Sequence, residues 1–186
     1  GNVLEIGPGT GILTKYLLEK EKLNCRFLDT DQEAFDYLRK NFSGHEEKFI
    51  KADFLKVDPD KYFTGPYSVI GNLPYNISSQ IFFKILEHRD RVPEVVAMIQ
   101  REVADRISSP PGSKQYGILS VFLQSFYEIK FLFGVNPQVF DPPPKVKSAV
   151  IRLERNKIEE LPCDEKKFFK VVKQAFNYRR KTLRNS

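Results

Sequence analysis

Asn72-Leu73-Pro74-Tyr75 is the stretch of this 186-residue chain whose residue types most directly suggest chemistry. The Asn72 side-chain oxygen can accept one hydrogen of an exocyclic amine, and the Pro74 carbonyl can accept the other. Holding the amine by both hydrogens turns its nitrogen lone pair away from conjugation with the ring and toward an approaching electrophile. Tyr75 adds a face on which a base can stack. None of this calls for a metal or a strongly perturbed general base. Cys25, Cys163, His45 and His88 are the only cysteines and histidines, and they show no metal-ligand spacing. No metal centre and no disulfide framework are therefore expected. In isolation the tetrad reads as a turn after a strand, and only its context favours the catalytic alternative.

That context begins at Gly7-Pro8-Gly9-Thr10-Gly11. Three glycines at alternate positions after a strand let the backbone turn tightly and approach a ligand without a side-chain clash. The spacing differs from the dinucleotide fingerprint, and a purely structural turn is the competing reading. Glu5 precedes the loop and Asp29 closes the next strand, where its carboxylate can accept from both ribose hydroxyls of an adenosyl group. Asp53, beside Phe54 and Leu55, can accept from an adenine amine while its apolar neighbours bracket the ring. Capping a turn is an equal alternative for Asp53. No Lys follows the glycines in P-loop fashion, so nucleotide hydrolysis fits poorly. Glycine loop, ribose acid, Asp53 and tetrad together fit S-adenosylmethionine, whose sulfonium is already a good leaving group for direct displacement.

The elements that must position these residues follow from hydrophobic period. Strands are expected at Asn2 to Ile6, Asn24 to Asp29, Phe49 to Ala52, Tyr67 to Gly71, Val92 to Gln100, Glu128 to Phe133 and Ser148 to Leu153. Helices are expected at Ile12 to Lys20, Asp31 to Phe42, Ile77 to Leu86 with Ser78 or Ser79 as cap, Arg101 to Ile107, Tyr116 to Tyr127, and Asp164 to Tyr178. Ser108 to Lys114 reads as a surface loop, and Asn136 to Pro144, with four prolines, as a shaped loop. The order is that of a doubly wound, Rossmann-like α/β domain with a mostly parallel seven-stranded sheet and an antiparallel last strand. Ligands are expected at the carboxyl ends of its strands. The catalytic domain is expected over residues 1–160, and residues 161–186 form a basic helical segment. The chain enters its first strand at once, so it is expected to be a piece of a longer protein.

A formal net charge of +6 is unevenly spread, with eight Lys or Arg and no Asp or Glu from Lys166 to Ser186. Such a run suits a phosphate backbone or, equally, a solvated helix face. The chain has no apolar run long enough for a bilayer and no secretory leader, so a cytoplasmic location is expected.

With these blocks in one order, the chain closely resembles the ribosomal RNA adenine dimethyltransferases, specifically the bacterial KsgA group. The likeness spans essentially all of it and rests on several blocks. These are Leu4 to Gly11, Gly71-Asn72-Leu73-Pro74-Tyr75-Asn76-Ile77-Ser78, Gln100-Arg101-Glu102-Val103-Ala104, Tyr116-Gly117 with Leu119-Ser120-Val121, Phe140 to Val146, and Arg179-Arg180-Lys181-Thr182-Leu183-Arg184-Asn185. The resemblance implies that Gly7, Gly9, Gly11, Asp29, Asp53, Phe54 and Asn72 hold S-adenosylmethionine, and Glu5, just before the loop, is expected to join them. It implies that Asn72, Leu73, Pro74 and Tyr75 engage the target adenine and that Phe140 closes on its other face. The implied substrate is two neighbouring adenines near the 3′ end of small-subunit (16S) rRNA, each taken to N6,N6-dimethyladenine in the immature 30S subunit, with a role in ribosome assembly. Lys145, Lys173, Arg179, Arg180, Lys181 and Arg184 then become RNA-facing residues, and a monomer is expected.

The chain departs from the family at Asp29, commonly Glu, and at Lys147, usually Asp. The family's N-terminal Gln-His-Phe-Leu segment and C-terminal helical domain lie outside these residues. A chain limited to them is expected to bind cofactor weakly and RNA poorly. Two other readings stay open: a macrolide-resistance-type methyltransferase of large-subunit rRNA, and a non-catalytic RNA-binding assembly factor.

Overall fold

The structure, a computed structural model, describes residues 1–177. Seven strands form one sheet: β1 (Asn2–Ile6), β2 (Asn24–Asp29), β3 (Phe49–Lys51), β4 (Tyr67–Asn72), β5 (Glu94–Gln100), β6 (Tyr127–Val135) and β7 (Ser148–Arg155). Their spatial order is β3-β2-β1-β4-β5-β7-β6. The first five run parallel, and β7 inserts antiparallel to both β5 and β6. The expected doubly wound sheet with an antiparallel last strand is the one observed. Its winding reverses between β1 and β4, so the loop after β1 and the residues ending β4 lie side by side, where such folds bind ligands.

Six α-helices and three short 3-10 turns complete the described chain, the α-helices being α1 (Thr14–Leu18), α2 (Gln32–Asn41), α3 (Ser78–Glu87), α4 (Arg101–Ser108), α5 (Ile118–Phe126) and α6 (Glu165–Asn177). Alternation along the strands supplies two cores. Val69, Val95, Ala97, Ile151 and Leu153 turn to the face covered by α3, α4 and α5, where Phe82, Phe122 and Phe126 are fully buried. Each such ring contributes about 2–3 kcal/mol of apolar burial. The smaller core, Cys25, Phe27, Leu38 and Phe49, lies where α2 packs on β2 and β3. α6 docks through Phe168 and Phe169, whose ring centroids lie 5.9 and 4.4 Å from that of Phe122.

Several expected boundaries shift for identifiable reasons. β5 starts at Glu94, two residues late, because Pro93 has no N–H for the ladder and the Val92 N–H is used in a turn to the His88 carbonyl at 3.1 Å. β6 takes Tyr127, expected at the end of a helix, and runs on to Val135; the buried Tyr127 hydroxyl donates to the Val92 carbonyl at 3.0 Å. α1 begins only at Thr14, since the preceding turn holds Gly11 at φ +79°. Neither Ser78 nor Ser79 caps α3. Ile77 occupies that position, its N–H donating to the Pro74 carbonyl at 3.2 Å, and Ser78 sits inside the first turn with its hydroxyl donating to the Tyr75 carbonyl. Asp164 does cap α6, accepting the Lys167 N–H at 2.8 Å. No helix among the described residues is long and apolar enough to cross a membrane.

Candidate active site

The glycine loop takes the shape its spacing requires. Gly7, Gly9 and Gly11 all have positive φ (+68°, +55° and +79°), a region that side chains with a Cβ disfavour. A Cβ on Gly11 would come within 2.5 Å of the Phe42 ring, whereas a Cβ on Gly9 would meet nothing within 4 Å. Gly11 is thus fixed by packing against α2, and Gly9 faces open space. The Gly7 N–H donates to the Leu28 carbonyl at 3.0 Å and the Gly11 N–H to that of Pro8 at 2.9 Å, tying the loop to β2 and to itself.

Asp29 anchors the loop from the side. Its Oδ2 accepts the Gly9 N–H at 3.2 Å and its Oδ1 accepts the Asp31 N–H at 3.0 Å, so each oxygen retains a lone pair. Asp53 realises the turn alternative: Oδ1 accepts the Leu55 N–H at 2.9 Å, and Oδ2 lies 3.5 Å from Lys56 Nζ. It nonetheless lines, with Asp29, Phe54, Pro74, Ile77 and Ile81, a narrow crevice of about 50 Å³ beside Gly7. Two carboxylates over an apolar floor match an adenosyl group, whose hydroxyls and amine donate and whose base is flat and apolar.

On the other side of Gly7 a cavity of about 580 Å³ opens, bounded by Glu5, Gly9, Ile12, Asn72 and Phe140 and floored by Ile70, Val96, Met98 and Val150 of the sheet. Glu5 is buried in its wall, where the Thr14 hydroxyl donates to Oε2 at 2.8 Å. Desolvation raises the Glu5 carboxyl to about 7; the Thr14 hydrogen bond opposes that rise and the Asp29 charge adds to it. A third cavity, about 510 Å³, is lined by Asn72, Leu73, Pro74, Tyr75, Ile12 and Phe140.

The tetrad joins these spaces. Asn72 ends β4 with an exposed side chain, and among the described residues its amide forms no hydrogen bond. Leu73 is buried, and its N–H donates to the Met98 carbonyl at 3.0 Å. The Pro74 carbonyl keeps one lone pair beyond its bond to Ile77. The Tyr75 hydroxyl pairs with the Ser148 hydroxyl at 2.5 Å, fixing the ring against the start of β7. Phe140 follows the short 3-10 turn at Pro137–Val139 and borders both larger cavities.

Every expected cofactor or target residue except Gly11 thus borders one of three neighbouring cavities that share lining residues; Gly11 shapes the loop from behind. Lys145 is exposed in the Pro-rich loop. Lys173 is exposed on α6, where it shares a surface hollow with Glu87, Arg89 and Glu165. Arg179, Arg180, Lys181 and Arg184 lie outside the described residues. Sequence reasoning missed Gly71, where a Cβ would sit 2.4 Å from the Ile6 carbonyl oxygen, and also Thr14 and Ser148. The last two act across 9 and 73 residues of chain, separations at which spacing carries no signal. Folding also gathers Asp58, Asp60 and His88, with His88 Nδ1 3.1 Å from Asp60 and the Tyr67 hydroxyl donating to Asp60 at the far end of β4.

Comparison with known proteins agrees with this geometry. The ribosomal RNA adenine dimethylase family matches residues 1–186. The ribosomal RNA small subunit methyltransferase A of Cytophaga hutchinsonii is 54% identical over 184 residues, covering 99% of this chain and 71% of that protein. A dimethyladenosine transferase from Plasmodium falciparum superposes with a TM-score of 0.81 at 30% identity, over 98% of this chain and 65% of that one. The 23S rRNA methyltransferase ErmE superposes with a TM-score of 0.75 at 29% identity, over 95% and 70% of the two chains. With this likeness along its whole length, the chain belongs to the ribosomal RNA adenine dimethylases, a family of methyltransferases that use S-adenosylmethionine.

Proposed function

We propose that this protein dimethylates the N6 amines of two adjacent adenines near the 3′ end of small-subunit rRNA. The observation that carries the reading is Asn72: its side-chain amide, unbonded among the described residues, borders both the cavity beside Glu5 and Gly9 and the cavity walled by Pro74, Tyr75 and Phe140. S-adenosylmethionine, when bound, supplies a methyl group on a positively charged sulfur. Asp29 and Asp53 receive the ribose hydroxyls and adenine amine, and Phe54 packs on the ring. The glycine loop leaves room for the ligand to approach the backbone, and Glu5 contributes negative charge from the wall.

In the neighbouring cavity the Asn72 oxygen and the free lone pair of the Pro74 carbonyl accept the two amine hydrogens of the target adenine. That pairing aims the nitrogen lone pair toward the cofactor cavity. Tyr75, braced by Ser148, stacks on one face of the base and Phe140 closes on the other. After the first transfer the monomethylated amine still has one hydrogen for either acceptor, so the same groups serve the second. Lys145, Lys173 and the basic run through Arg184 would hold the rRNA backbone by charge. Residues 1–160 form the catalytic unit in this reading, and residues 161–186 are the RNA-facing segment. The proposed partner is the immature 30S subunit, bound by a monomer in the cytoplasm.

The identity with the Cytophaga hutchinsonii small-subunit enzyme supports this target over a large-subunit one. The test is transfer of labelled methyl groups to under-methylated 30S and 50S particles. Label is expected in 16S rRNA near its 3′ end. Label confined to 23S rRNA would reject the target, and cofactor binding without transfer to either would favour a non-catalytic assembly factor.

A further inference from the structure

Glu5 is only 2% exposed, yet it borders the same cavity as Gly7, Gly9 and Asn72. Among the described residues its surroundings provide no cation. On β1 its register partners are Phe27 of β2 and Ile70 of β4. The titratable groups that interact with it are Asp29 and the Cys25 thiol, both on β2. Arg26, also on β2, directs its guanidinium to Asn24 and the Cys25 carbonyl. α1 presents the neutral Thr14 hydroxyl, and its Lys15 lies over the Tyr16 ring at the surface. β5 and β7 bring Val96, Met98 and Val150 to the cavity floor. Among the described residues Glu5 takes part in no ion pair.

A buried carboxyl beside another acid, in a cavity wall without a counter-ion, is suited to a cationic ligand and costly to ionise without one. S-adenosylmethionine carries both a sulfonium and an ammonium. We propose that Glu5 is the counter-ion of this cationic cofactor and is protonated in the cofactor-free protein on the acid side of neutrality, so that cofactor capture there expels the Glu5 proton to solvent. The proton balance is simple: a carboxylic acid becomes a carboxylate, one proton passes to the buffer, and no bond of the cofactor changes. The inference rests on the cofactor assignment above and adds a pH dependence to it. Burial holds the cofactor-free carboxyl near 7, so affinity should fall about tenfold per pH unit below that value.

The test is calorimetric titration of the protein with S-adenosylmethionine at pH 6, in buffers of different ionisation enthalpy. At that pH an α-amino group is protonated throughout. Wild-type protein is expected to release more than half a proton per cofactor bound, since a group titrating near 7 is mostly neutral at that pH. Glu5→Gln is expected to bind more weakly and release none. Thr14→Val, which removes the donor favouring the ionised form, should move the midpoint of affinity against pH upward. Binding heats equal in every buffer would overturn the inference while leaving the cofactor assignment intact. Undiminished proton release in Glu5→Gln, or an unmoved midpoint in Thr14→Val, would likewise overturn it. Failure of the wild-type protein to bind at any pH would instead remove the cofactor assignment itself, and this inference with it.

Discussion

Around the glycine loop the N–H groups of all three glycines and the Thr14 hydroxyl are already engaged: Gly7 with Leu28, Gly9 with Asp29, Gly11 with Pro8, and Thr14 with Glu5. Across the seam, the Asn72 amide is unbonded among the described residues, Pro74 is exposed, and Tyr75 is fixed by a single hydroxyl pair. One half of the cleft is shaped by the fold; the other leaves its acceptors free. The difference matches two ligands of different kind. A small cofactor used in every turnover gains from a preformed cradle, because little ordering cost remains on binding. A target adenine presented by a large RNA needs acceptors not already committed to the protein.

Substitutions on the two sides should therefore fail differently. Asn72→Ala removes an acceptor from the open side, and turnover should fall about 10²- to 10³-fold. Cofactor affinity should change much less, which single-turnover kinetics and calorimetry would separate. Gly71→Ala strikes the preformed side. Its Cβ would meet the Ile6 carbonyl oxygen at 2.4 Å and push β1 from β4, costing on the order of 3 kcal/mol in chemical unfolding. A variant that loses activity at unchanged stability would break that assignment.

The burial of Glu5 sets a stability effect with a definite sign. Its folded value, about 7, lies above the ordinary carboxyl value of 4.5, so the folded state binds the extra proton. The resulting stabilisation is fully present below pH 4.5, declines as pH rises toward 7 and is flat above. It amounts to at most about 3 kcal/mol. Glu5→Gln should remove that slope from unfolding curves of the cofactor-free protein; a slope that persists would place the titrating group elsewhere.

The smallest effect is expected at the Tyr75–Ser148 pair. Tyr75→Phe and Ser148→Ala should each cost about 1 kcal/mol, near fivefold in turnover, and the double variant should cost no more than either alone. Additive losses would show that the two hydroxyls act independently.

The strands were legible because each is a short apolar or alternating run bounded by turn residues, and helices between them imply parallel strands; the order in the sheet was not legible. Helix starts were less legible. Ser78 looks like a cap by type, but the Pro74 turn places Ile77 there, a consequence of how the tetrad leaves β4. The cleft residues were readable wherever a side chain or a glycine acts next to a strand end. Gly71, Thr14 and Ser148 were not, because their roles arise from strand neighbours and loop closure rather than from local spacing. Asp53 shows a limit of another kind, since one carboxylate both closes a turn and lines the crevice.

The most direct measurement is nucleoside analysis of 16S rRNA after under-methylated 30S particles are incubated with the protein and S-adenosylmethionine. The cleft described here should yield N6,N6-dimethyladenosine at two adjacent positions, with little monomethylated product remaining at completion. Methylation that stops at one group per adenine, or appears on a ring nitrogen instead of the exocyclic amine, would contradict the roles given to Asn72 and Pro74.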